Sequence, residues 1–338
     1  LITPMTKNRK VDYEGLKRLV EFQAEEGVRG ILAVGTTGES PTLDWEEHNR
    51  VIEKVHEQIN GRCLTIGGTG SNSTWESIKG TEHAFDFGVR CVLLVDPYYN
   101  GPSSLEIRRE YIEPIARKFP EVQVIPYVIP GRTGTQLLPQ DLAILHSQLP
   151  NVNAVKEATG NLDNMKFTRK FCGEKFDILS GDDDKTHAMM TTPEIGASGV
   201  ISVASNVAPG PTQGFVKSIL EGQSHEAERL HKALKPLFSM VTVSTQEETP
   251  YGMVTCKARN PLPYKTLMNV LGVPAGPCRP PLGKMSRKGL DAVLNVARTV
   301  YETTPEILKP VEDFFDLDLS KRLYNEKNWR GLALSLIH

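Results

Sequence analysis

Lys156 is the first residue to suggest chemistry, because it stands where a lysine is unusual. Val152, Ala154 and Val155 before it form a short apolar run typical of a buried strand, and a Thr-Gly turn follows in "NVNAVKEATGN". A lysine at a strand end can carry its ammonium to solvent along an apolar stem. It can also hold a neutral, nucleophilic amine in a dry pocket, since desolvation disfavours the charged form. This stretch alone leaves both interpretations open.

Hydroxyl and guanidinium groups follow other predicted strands in the same way. They are Thr36 and Thr37 in "GTTGES", Tyr98 and Tyr99 in "DPYYN", and Tyr127 and Arg132 in "YVIPGRTG". The carboxyl ends of parallel strands in a barrel meet at one face, where such groups would collect. An amine that attacks a ketone, hydroxyls that pass protons and an arginine that binds a carboxylate suit imine chemistry on an oxo acid.

Each of these residues also has an ordinary structural explanation. The tyrosine pair fits half-buried amphipathic packing, the threonine pair fits a tight turn before a helix, and Arg132 fits a surface ion pair. The chemical interpretation therefore depends on their joint appearance. No His, Cys or carboxylate cluster has metal-ligand spacing, and Asp182 to Asp184 suit a helix cap, so we expect neither a metal nor a cofactor.

Short β-rich runs separated by helical patterns must position these groups. Eight runs occur: the N-terminal "LITP" and those at 30–35, 63–68, 89–95, 122–128, 152–156, 176–181 and 199–205. Each run and its following helix take roughly 25 to 30 residues, the length of a right-handed βαβ crossover. Eight such units predict an α/β protein with a (β/α)8 TIM barrel. The alternative is a doubly wound open sheet, but no GxGxxG follows an early strand.

The strand pattern is predicted to stop after residue 209, where helices follow at 209–221, 223–240, 261–271 and 286–303. We therefore expect a catalytic barrel at 1–222, a C-terminal helical appendage at 223–303 and a tail of unknown role at 304–338. The tail contains four large apolar residues that can pack on the body of the protein or on a neighbouring subunit: Phe314, Phe315, Leu317 and Leu319.

Charge and composition exclude several kinds of partner. The 338 residues have a formal net charge of -2 with acids and bases interspersed, which argues against nucleic acid or a membrane surface as partner. No apolar run approaches the roughly 20 residues of a spanning helix, and the first residues lack the apolar core of a signal peptide. Five scattered cysteines match no disulfide or zinc pattern. We expect a cytoplasmic protein, or a plastid one if the source is a plant.

Six motifs in register make the chain similar to a known family. They are "GTTGES" at 35–40, "DPYYN" at 96–100, "YVIPGRTG" at 127–134, "KEATGN" at 156–161, "SGDDD" at 180–184 and "GVISVASN" at 199–206. Over roughly residues 1–240 the chain resembles the dihydrodipicolinate synthase (4-hydroxy-tetrahydrodipicolinate synthase) family. This family belongs to the pyruvate-dependent class I aldolases related to N-acetylneuraminate lyase. The Arg in "GRTG" and the "KEATG" context resemble the synthases rather than the sialic acid lyase.

The resemblance implies a catalytic group of four residues. Lys156 would form a Schiff base with pyruvate, and Tyr127 would lie over the imine and shuttle protons. Thr36 would link Tyr127 to Tyr99, which in this family reaches in from the adjacent subunit. The resemblance therefore also implies a homodimer or a homotetramer.

The resemblance implies substrate contacts as well. Thr37 would bind the carboxylate of pyruvate, Arg132 would hold the carboxylate of the second substrate, and Gly181 and Ile201 would shape the pocket through their backbones. The enamine would attack the aldehyde of L-aspartate 4-semialdehyde, and cyclisation would give 4-hydroxy-tetrahydrodipicolinate for lysine biosynthesis.

A further set of polar residues matches the positions at which lysine-sensitive members of the family bind their end product: Ser40, Trp45, His48, Asn72, Glu76 and Tyr98. Trp45 most resembles the plant enzymes, and Glu76 would pair with an amino group of L-lysine. The same residues also fit a helix start and a packed aromatic. Inhibition by L-lysine is therefore a hypothesis, with the neighbours Tyr98 and Tyr99 as its route to the catalytic group.

The chain departs from the family pattern at three places. Val128 stands where the family usually has Asn, residues 244–262 exceed the usual loop, and the tail after 304 has no counterpart. Two alternatives stay open. A related aldolase or dehydratase could act on a sugar acid, because Schiff-base chemistry does not select the second substrate, and Arg132 is the feature that discriminates. A barrel scaffold without activity is the other, although intact Lys156 and Tyr127 argue against it.

Overall fold

Residues 1–334 are described by a computed structural model, in which they form two compact units. The sheet unit comprises Gly30–Gly35 and His48–Ser202, and the helical unit comprises Leu1–Arg29, Thr36–Glu47 and the residues from Val203 onward. Residues 335–338, the last four of the predicted tail, lie outside the described residues. Each unit is therefore built from more than one stretch of the chain.

A parallel sheet of seven strands organises the sheet unit, and the strands lie side by side in sequence order. They are β1 (Gly30–Ala33), β2 (Leu64–Gly68), β3 (Cys91–Val95), β4 (Gln123–Val128), β5 (Ala154–Glu157), β6 (Asp177–Ser180) and β7 (Gly199–Val200). Their apolar runs are largely buried, as expected of parallel strands covered by helices. Because every pairing is parallel, the carboxyl ends of all seven strands lie at one edge of the sheet. The α/β class is confirmed.

The eighth predicted strand, "LITP" at residues 1–4, was wrong. No strand forms there, and only Met5 makes an isolated antiparallel bridge, with Val11. Pro4 has no N–H to donate to a strand ladder. Side chains hold the segment instead, since the Ile2 N–H donates to Asn206 Oδ1 at 2.8 Å within the same unit.

Helices alternate with the strands along the chain, and further helices follow the last strand of the sheet. The first, α1 (Tyr13–Glu25), lies in the helical unit, and the sheet unit contains most of α2 (Trp45–Ile59) and all of α3 (Thr74–Asp86), α4 (Ser104–Glu106), α5 (Glu113–Lys118), α6 (Pro130–Thr133), α7 (Pro139–Gln148), α8 (Leu162–Cys172) and α9 (Thr186–Thr191). Side chains of Ser73 and Asn161 cap α3 and α8. Within residues 1–334, no helix has the length and apolar character to cross a membrane.

The helical unit contains the four helices predicted after residue 209 and a β-hairpin that was not predicted. The helices are α10 (Pro209–Leu220), α11 (Ser224–Phe238), α12 (Leu262–Leu271) and α13 (Arg287–Thr303). The long segment before α12 is an antiparallel hairpin of β8 (Thr242–Thr249) and β9 (Gly252–Arg259). The expectation that strands stop after residue 209 was therefore wrong, because Val- and Thr-rich stretches flank a two-residue turn there.

The described part of the tail packs on its own chain. It forms α14 (Lys309–Phe315) and α15 (Leu319–Tyr324). The rings of Phe314 and Phe315 each lie with their centroids 5.2 Å from that of Phe22 on α1, and Leu319 is buried. Of the two possibilities for these apolar residues, packing on the body of the protein is the one observed.

A buried ion pair fastens the start of α12 to the turn at 36–42 within the helical unit. Lys265 Nζ lies 2.5 Å from Glu39 Oε1, and the two side chains are 1% and 0% exposed. The ammonium also donates to the carbonyls of Thr3 and Pro277, and Glu39 Oε2 accepts the Arg279 N–H at 2.8 Å. These bonds satisfy both charges, which is the condition for burying a pair without a large desolvation cost.

We expect Lys265→Met to destabilise the protein strongly. The substitution leaves the Glu39 carboxylate buried without its cation, which costs about 3–5 kcal/mol of unfolding free energy. Urea unfolding measures the change, with Lys217→Met as control because Lys217 forms only an exposed pair with Glu221. The double variant Lys265→Met with Glu39→Gln should recover part of the loss. Equal midpoints for Lys265→Met and the control would contradict the expectation.

Candidate active site

The register between β4 and β5 brings a tyrosine and a lysine to the same row of the sheet. Tyr127 pairs with Lys156, and Val95 of β3 and Leu179 of β6 extend the row on either side. Residues in one row of a parallel sheet point to the same face. Lys156 Nζ accordingly lies 4.2 Å from the centroid of the Tyr127 ring.

Lys156 is almost completely enclosed, with 6% of its surface exposed. Loss of hydration lowers the pKa of its amine from 10.5 to about 8. The carboxylates of Asp183 and Asp182 oppose this shift, and the cation of Arg132 adds to it. A substantial share of the amine is therefore neutral, and hence nucleophilic, near physiological pH.

An apolar cluster in the sheet unit provides the dry surroundings. Its buried members are Leu32, Ile66, Cys91, Leu93, Ile125, Tyr127, Ala154 and Ala158. Ile201, Leu179 and Ile129 pack against it while staying partly exposed. The predicted pocket residue Ile201 is also tied to the sheet, because its N–H donates to the Ser180 carbonyl at 2.9 Å.

Gly181 allows the chain after β6 to pass close to the lysine. A Cβ atom at this position would lie 3.2 Å from Lys156 Cε and only 2.7 Å from the Cβ of Ala158. The Gly181 N–H donates to the Glu157 carbonyl at 2.8 Å, which fixes this approach. A side chain at residue 181 would therefore displace the lysine stem or the backbone beside it.

Two of the predicted residues of the sheet unit are exposed. Arg132 lies in the single turn of α6, which ends at Gly134 with a φ of 70°. Tyr99 is 94% exposed and has a φ of 91°, a conformation that non-glycine residues rarely adopt. The ring of Tyr99 is thus presented to the outside of this single chain by a strained backbone.

Thr36 and Thr37 belong to the helical unit, where they form the 3-10 turn Thr36–Gly38. The Thr37 hydroxyl accepts a hydrogen bond from Asn260 Nδ2 at 2.9 Å. The Thr36 carbonyl accepts the Glu39 N–H at 3.2 Å, and Glu39 is the buried partner of Lys265. The ion pair of this unit therefore also fixes the hydroxyl-bearing turn.

Three of the residues predicted to bind L-lysine lie together in the sheet unit. Asn72 Oδ1 accepts the N–H of Tyr98 at 2.7 Å. Partial burial, and next the charge of Glu76, raise the pKa of the Tyr98 hydroxyl, so this carboxylate is close to the ring. The hydroxyl of Ser71 donates to Glu76, which holds the carboxylate in place.

The other three residues of that set differ in their surroundings. His48 is buried, and loss of hydration lowers the pKa of its imidazole to about 4, so the ring is neutral at pH 7. Ser40 begins the 3-10 turn Ser40–Thr42, and Trp45 is the first residue of α2. Both are half-buried and belong to the helical unit.

Sequence reasoning missed the acidic residues that surround the lysine. Asp182 and Asp183 were expected to cap a helix, and Asp182 stands at the N-cap of the turn Asp183–Lys185 without a side-chain capping bond. The charges of both carboxylates also raise the pKa of Lys156. Asp96 and Glu157 are buried carboxyl groups that were given no role. A usable signal existed for these two, since each stands within one residue of a predicted strand end, at the site edge.

A buried lysine of lowered pKa, facing a tyrosine at the carboxyl edge of a parallel sheet, is the arrangement that an imine-forming enzyme requires. Comparison with known proteins indicates the same class of enzyme and identifies the family within it. The chain belongs to the dihydrodipicolinate synthetase family, whose model matches residues 1–299.

Individual relatives and solved structures agree with this membership. The chain is 42% identical over 297 residues to the 4-hydroxy-tetrahydrodipicolinate synthase of Pelobacter propionicus, covering 87% of this chain and 95% of the relative. It is similar to the structure of dihydrodipicolinate synthase from Cyanidioschyzon merolae with lysine bound (TM-score 0.80, 32% identity, 89% and 96% of the two chains). It is also similar to the structure of the chloride-inhibited dihydrodipicolinate synthase from Acinetobacter baumannii complexed with pyruvate (TM-score 0.79, 32% identity, 89% and 96% of the two chains).

We expect imine formation to follow the ionisation of Lys156. The rate of trapping of pyruvate by cyanoborohydride should rise with pH with a midpoint near 8, the pKa of the amine, and level off at higher pH, where the amine is neutral. Asp182→Asn removes a charge that raises the pKa of Lys156, so its midpoint should move to lower pH. Arg132→Gln removes a cation that lowers this pKa, so its midpoint should move to higher pH. A midpoint near 10.5, or shifts of the same sign, would contradict the electrostatic account.

Proposed function

We propose that the protein condenses pyruvate with L-aspartate 4-semialdehyde to 4-hydroxy-tetrahydrodipicolinate, the reaction named for its relatives. The observation that carries the proposal is the enclosed amine of Lys156, 4.2 Å from the Tyr127 ring and with a pKa lowered to about 8. An amine in this state attacks a ketone without first losing a proton to a strong base.

The reaction then proceeds through a covalent intermediate on the enzyme. The Lys156 amine adds to C2 of pyruvate and water leaves, which gives a protonated imine. Loss of a proton from C3 gives the enamine, whose C3 attacks the aldehyde carbon of the second substrate. The amino group of that substrate next attacks the imine carbon and displaces Lys156, which closes the ring and regenerates the free amine. We assign to Tyr127, whose ring lies beside the amine, the passing of protons during these steps.

The second substrate is proposed from the exposed guanidinium of Arg132. This side chain lies in a turn directly after β4, the strand that carries Tyr127, and a planar guanidinium binds a carboxylate through two parallel hydrogen bonds. The roles of Thr36 and Thr37 in proton relay and pyruvate binding remain those that the family resemblance implies. Gly181 and Ile201 serve the pocket by the close approach and the backbone bond described above.

We further propose that the seven parallel strands belong to a TIM-type barrel with a helical appendage, in an assembly of at least two copies. Seven strands in sequential parallel order and the similarity to family structures support the barrel. The 94% exposure of Tyr99, held by a strained backbone, supports a role in a neighbouring subunit of a homodimer or homotetramer. The proposal keeps the predicted division of the chain into a catalytic barrel at 1–222, a helical appendage at 223–303 and a tail at 304–338.

Reductive trapping tests the covalent step. Incubation with pyruvate and borohydride should add one reduced pyruvate group per chain, on the peptide that contains Lys156. Lys156→Met should abolish the addition, while Lys170→Met, which changes an exposed lysine on α8, should leave it intact. Mass spectrometry of the digested protein measures both. Undiminished trapping by Lys156→Met would refute the proposed nucleophile.

The second half-reaction has its own readout. Purified enzyme with pyruvate should consume L-aspartate 4-semialdehyde and should not act on a 2-keto sugar acid. If the enzyme turns over only the sugar acid, it is a related aldolase that uses the same Schiff-base chemistry on a different substrate.

Regulation by L-lysine is proposed for the group formed by Asn72, Glu76 and Tyr98. Its carboxylate offers an ion pair to an amino group, and Tyr98 is covalently next to Tyr99. The relative from Cyanidioschyzon merolae was solved with lysine bound. An effector inhibits only if it binds the less active state of the enzyme better than the active state. The contacts of this group therefore make binding of L-lysine feasible, and a measured rate must show whether binding inhibits.

We expect millimolar L-lysine to lower the initial rate of the wild-type enzyme. Glu76→Ala should weaken this inhibition at least several-fold, because it removes the charge that pairs with the amino group. Glu82→Ala is the matched control, since Glu82 lies on the same helix and bonds only the surface residues Lys79 and Lys118. A wild-type rate unaffected by L-lysine would remove the regulatory proposal and leave the Lys156 chemistry untouched.

A further inference from the structure

We propose that two buried acids, Asp96 and Glu157, position the 130–138 segment and thereby hold Arg132 in place for the second substrate. The inference rests on the proposed function, because it assigns these acids to the binding of that substrate's carboxylate. Both are positioning residues, since they act on Arg132 through the backbone and through other side chains.

The two acids lie in the row of the sheet that follows the row of Lys156. Val128 pairs with Glu157, and the Asp96 N–H donates to the Tyr127 carbonyl at 3.1 Å. Because side chains alternate between the two faces of a strand, Asp96 and Glu157 point away from the face that carries the amine. They therefore support the site from behind the sheet.

Asp96 contacts the 130–138 segment directly. Its side chain is fully buried, and Oδ2 accepts the backbone N–H of Leu137 at 2.9 Å. Leu137 is itself buried and follows Arg132 by five residues. Without this acceptor, the N–H of Leu137 would be left in the interior with no partner, which a protein avoids at considerable cost.

Glu157 reaches the same segment through two amide side chains. Its Oε2 accepts from Asn164 Nδ2 at 2.9 Å, and Asn164 Oδ1 accepts from Gln136 Nε2 at 2.9 Å. The other oxygen of Glu157 accepts the Thr159 N–H at 2.7 Å, which fixes the carboxylate. The two acids therefore converge on adjacent residues of the chain, Gln136 and Leu137.

The charge balance agrees with a purely structural use of Asp96. Burial raises the pKa of Asp96 to about 8, the bond from the Leu137 N–H opposes this shift and the charge of Glu157 adds to it, so the group is mostly neutral at pH 7. Its Oδ1 has no hydrogen-bond partner within residues 1–334, and Val128 in the same row offers none. A neutral carboxyl group with one bonded oxygen can hold a backbone amide, and it contributes no charge to the reaction.

Substitutions at Asp96 separate the loss of the hydrogen-bond acceptor from the loss of the carboxyl group itself. Asp96→Leu removes the acceptor at similar size, and we expect the KM for L-aspartate 4-semialdehyde to rise roughly tenfold. The KM for pyruvate and the yield of trapped pyruvate should stay within about twofold of wild type, since the amine is on the opposite face. Asp96→Asn keeps an oxygen for the Leu137 N–H and should stay close to wild type for both substrates.

A second variant tests the route through Glu157 where the fold is not at risk. Gln136 is half-buried, and Gln136→Leu should raise the KM for the semialdehyde about threefold with pyruvate unaffected. Gln123→Leu is the matched control, because it removes side-chain hydrogen bonds at the opposite end of β4 and should change neither KM.

Two outcomes overturn the inference. One is an unchanged KM for the semialdehyde in folded Asp96→Leu, or in Gln136→Leu if Asp96→Leu cannot be obtained folded. The other is a parallel change in pyruvate trapping, which would indicate general damage to the site. Failure of the proposed function is distinguishable from both, because the wild-type enzyme would then trap no pyruvate or would not consume L-aspartate 4-semialdehyde.

Discussion

The pairing register of β4 and β5 is the constraint on which the site depends. It sets Tyr127 opposite Lys156 on one face and, one residue later, Val128 beside Glu157 on the other. A slip of one residue would exchange the faces, placing the carboxylate in the apolar cluster and the amine among the helices. The buried strands β3 to β6 prevent such a slip, since their apolar side chains on both faces must stay covered. The same register therefore satisfies both the geometry of the site and the packing of the strands.

Charges in this protein are enclosed in two different ways. In the helical unit, Glu39 and Lys265 neutralise each other, and the result is a fixed turn. In the sheet unit, the side chain of Lys156 is only 6% exposed. The carboxylates of Asp182 and Asp183 act on its amine through their charge, and not through a hydrogen bond such as the one that joins Lys265 to Glu39. Its ammonium is therefore poorly compensated, and the lowered pKa follows from that. A fully paired lysine would be stable and unreactive, whereas this one is less stable as a cation and able to react.

Periodicity in the sequence predicted seven strands and the four helices after residue 209, because each has a clear apolar pattern and turn residues around it. The "LITP" strand was wrong because four residues carry too little pattern to distinguish a strand from a segment held by Asn206. The hairpin was missed because exposed strands such as β9 lack the buried alternation that was sought. Lys156, Tyr127 and Asp96 all stand at or next to a predicted strand end, but the role of Asp96 could not be predicted, since only the structure shows that its side chain accepts the Leu137 N–H.

The hairpin of β8 and β9 leaves and rejoins the helical unit at almost the same point, because the Asn260 N–H donates to the Val241 carbonyl at 2.8 Å. A segment whose ends already meet adds no separation between α11 and α12, whatever its length, and lengthening it carries only a small entropic penalty. This position therefore tolerates growth, so a reporter domain or an affinity label could be spliced between Pro250 and Tyr251 with the surrounding helices undisturbed.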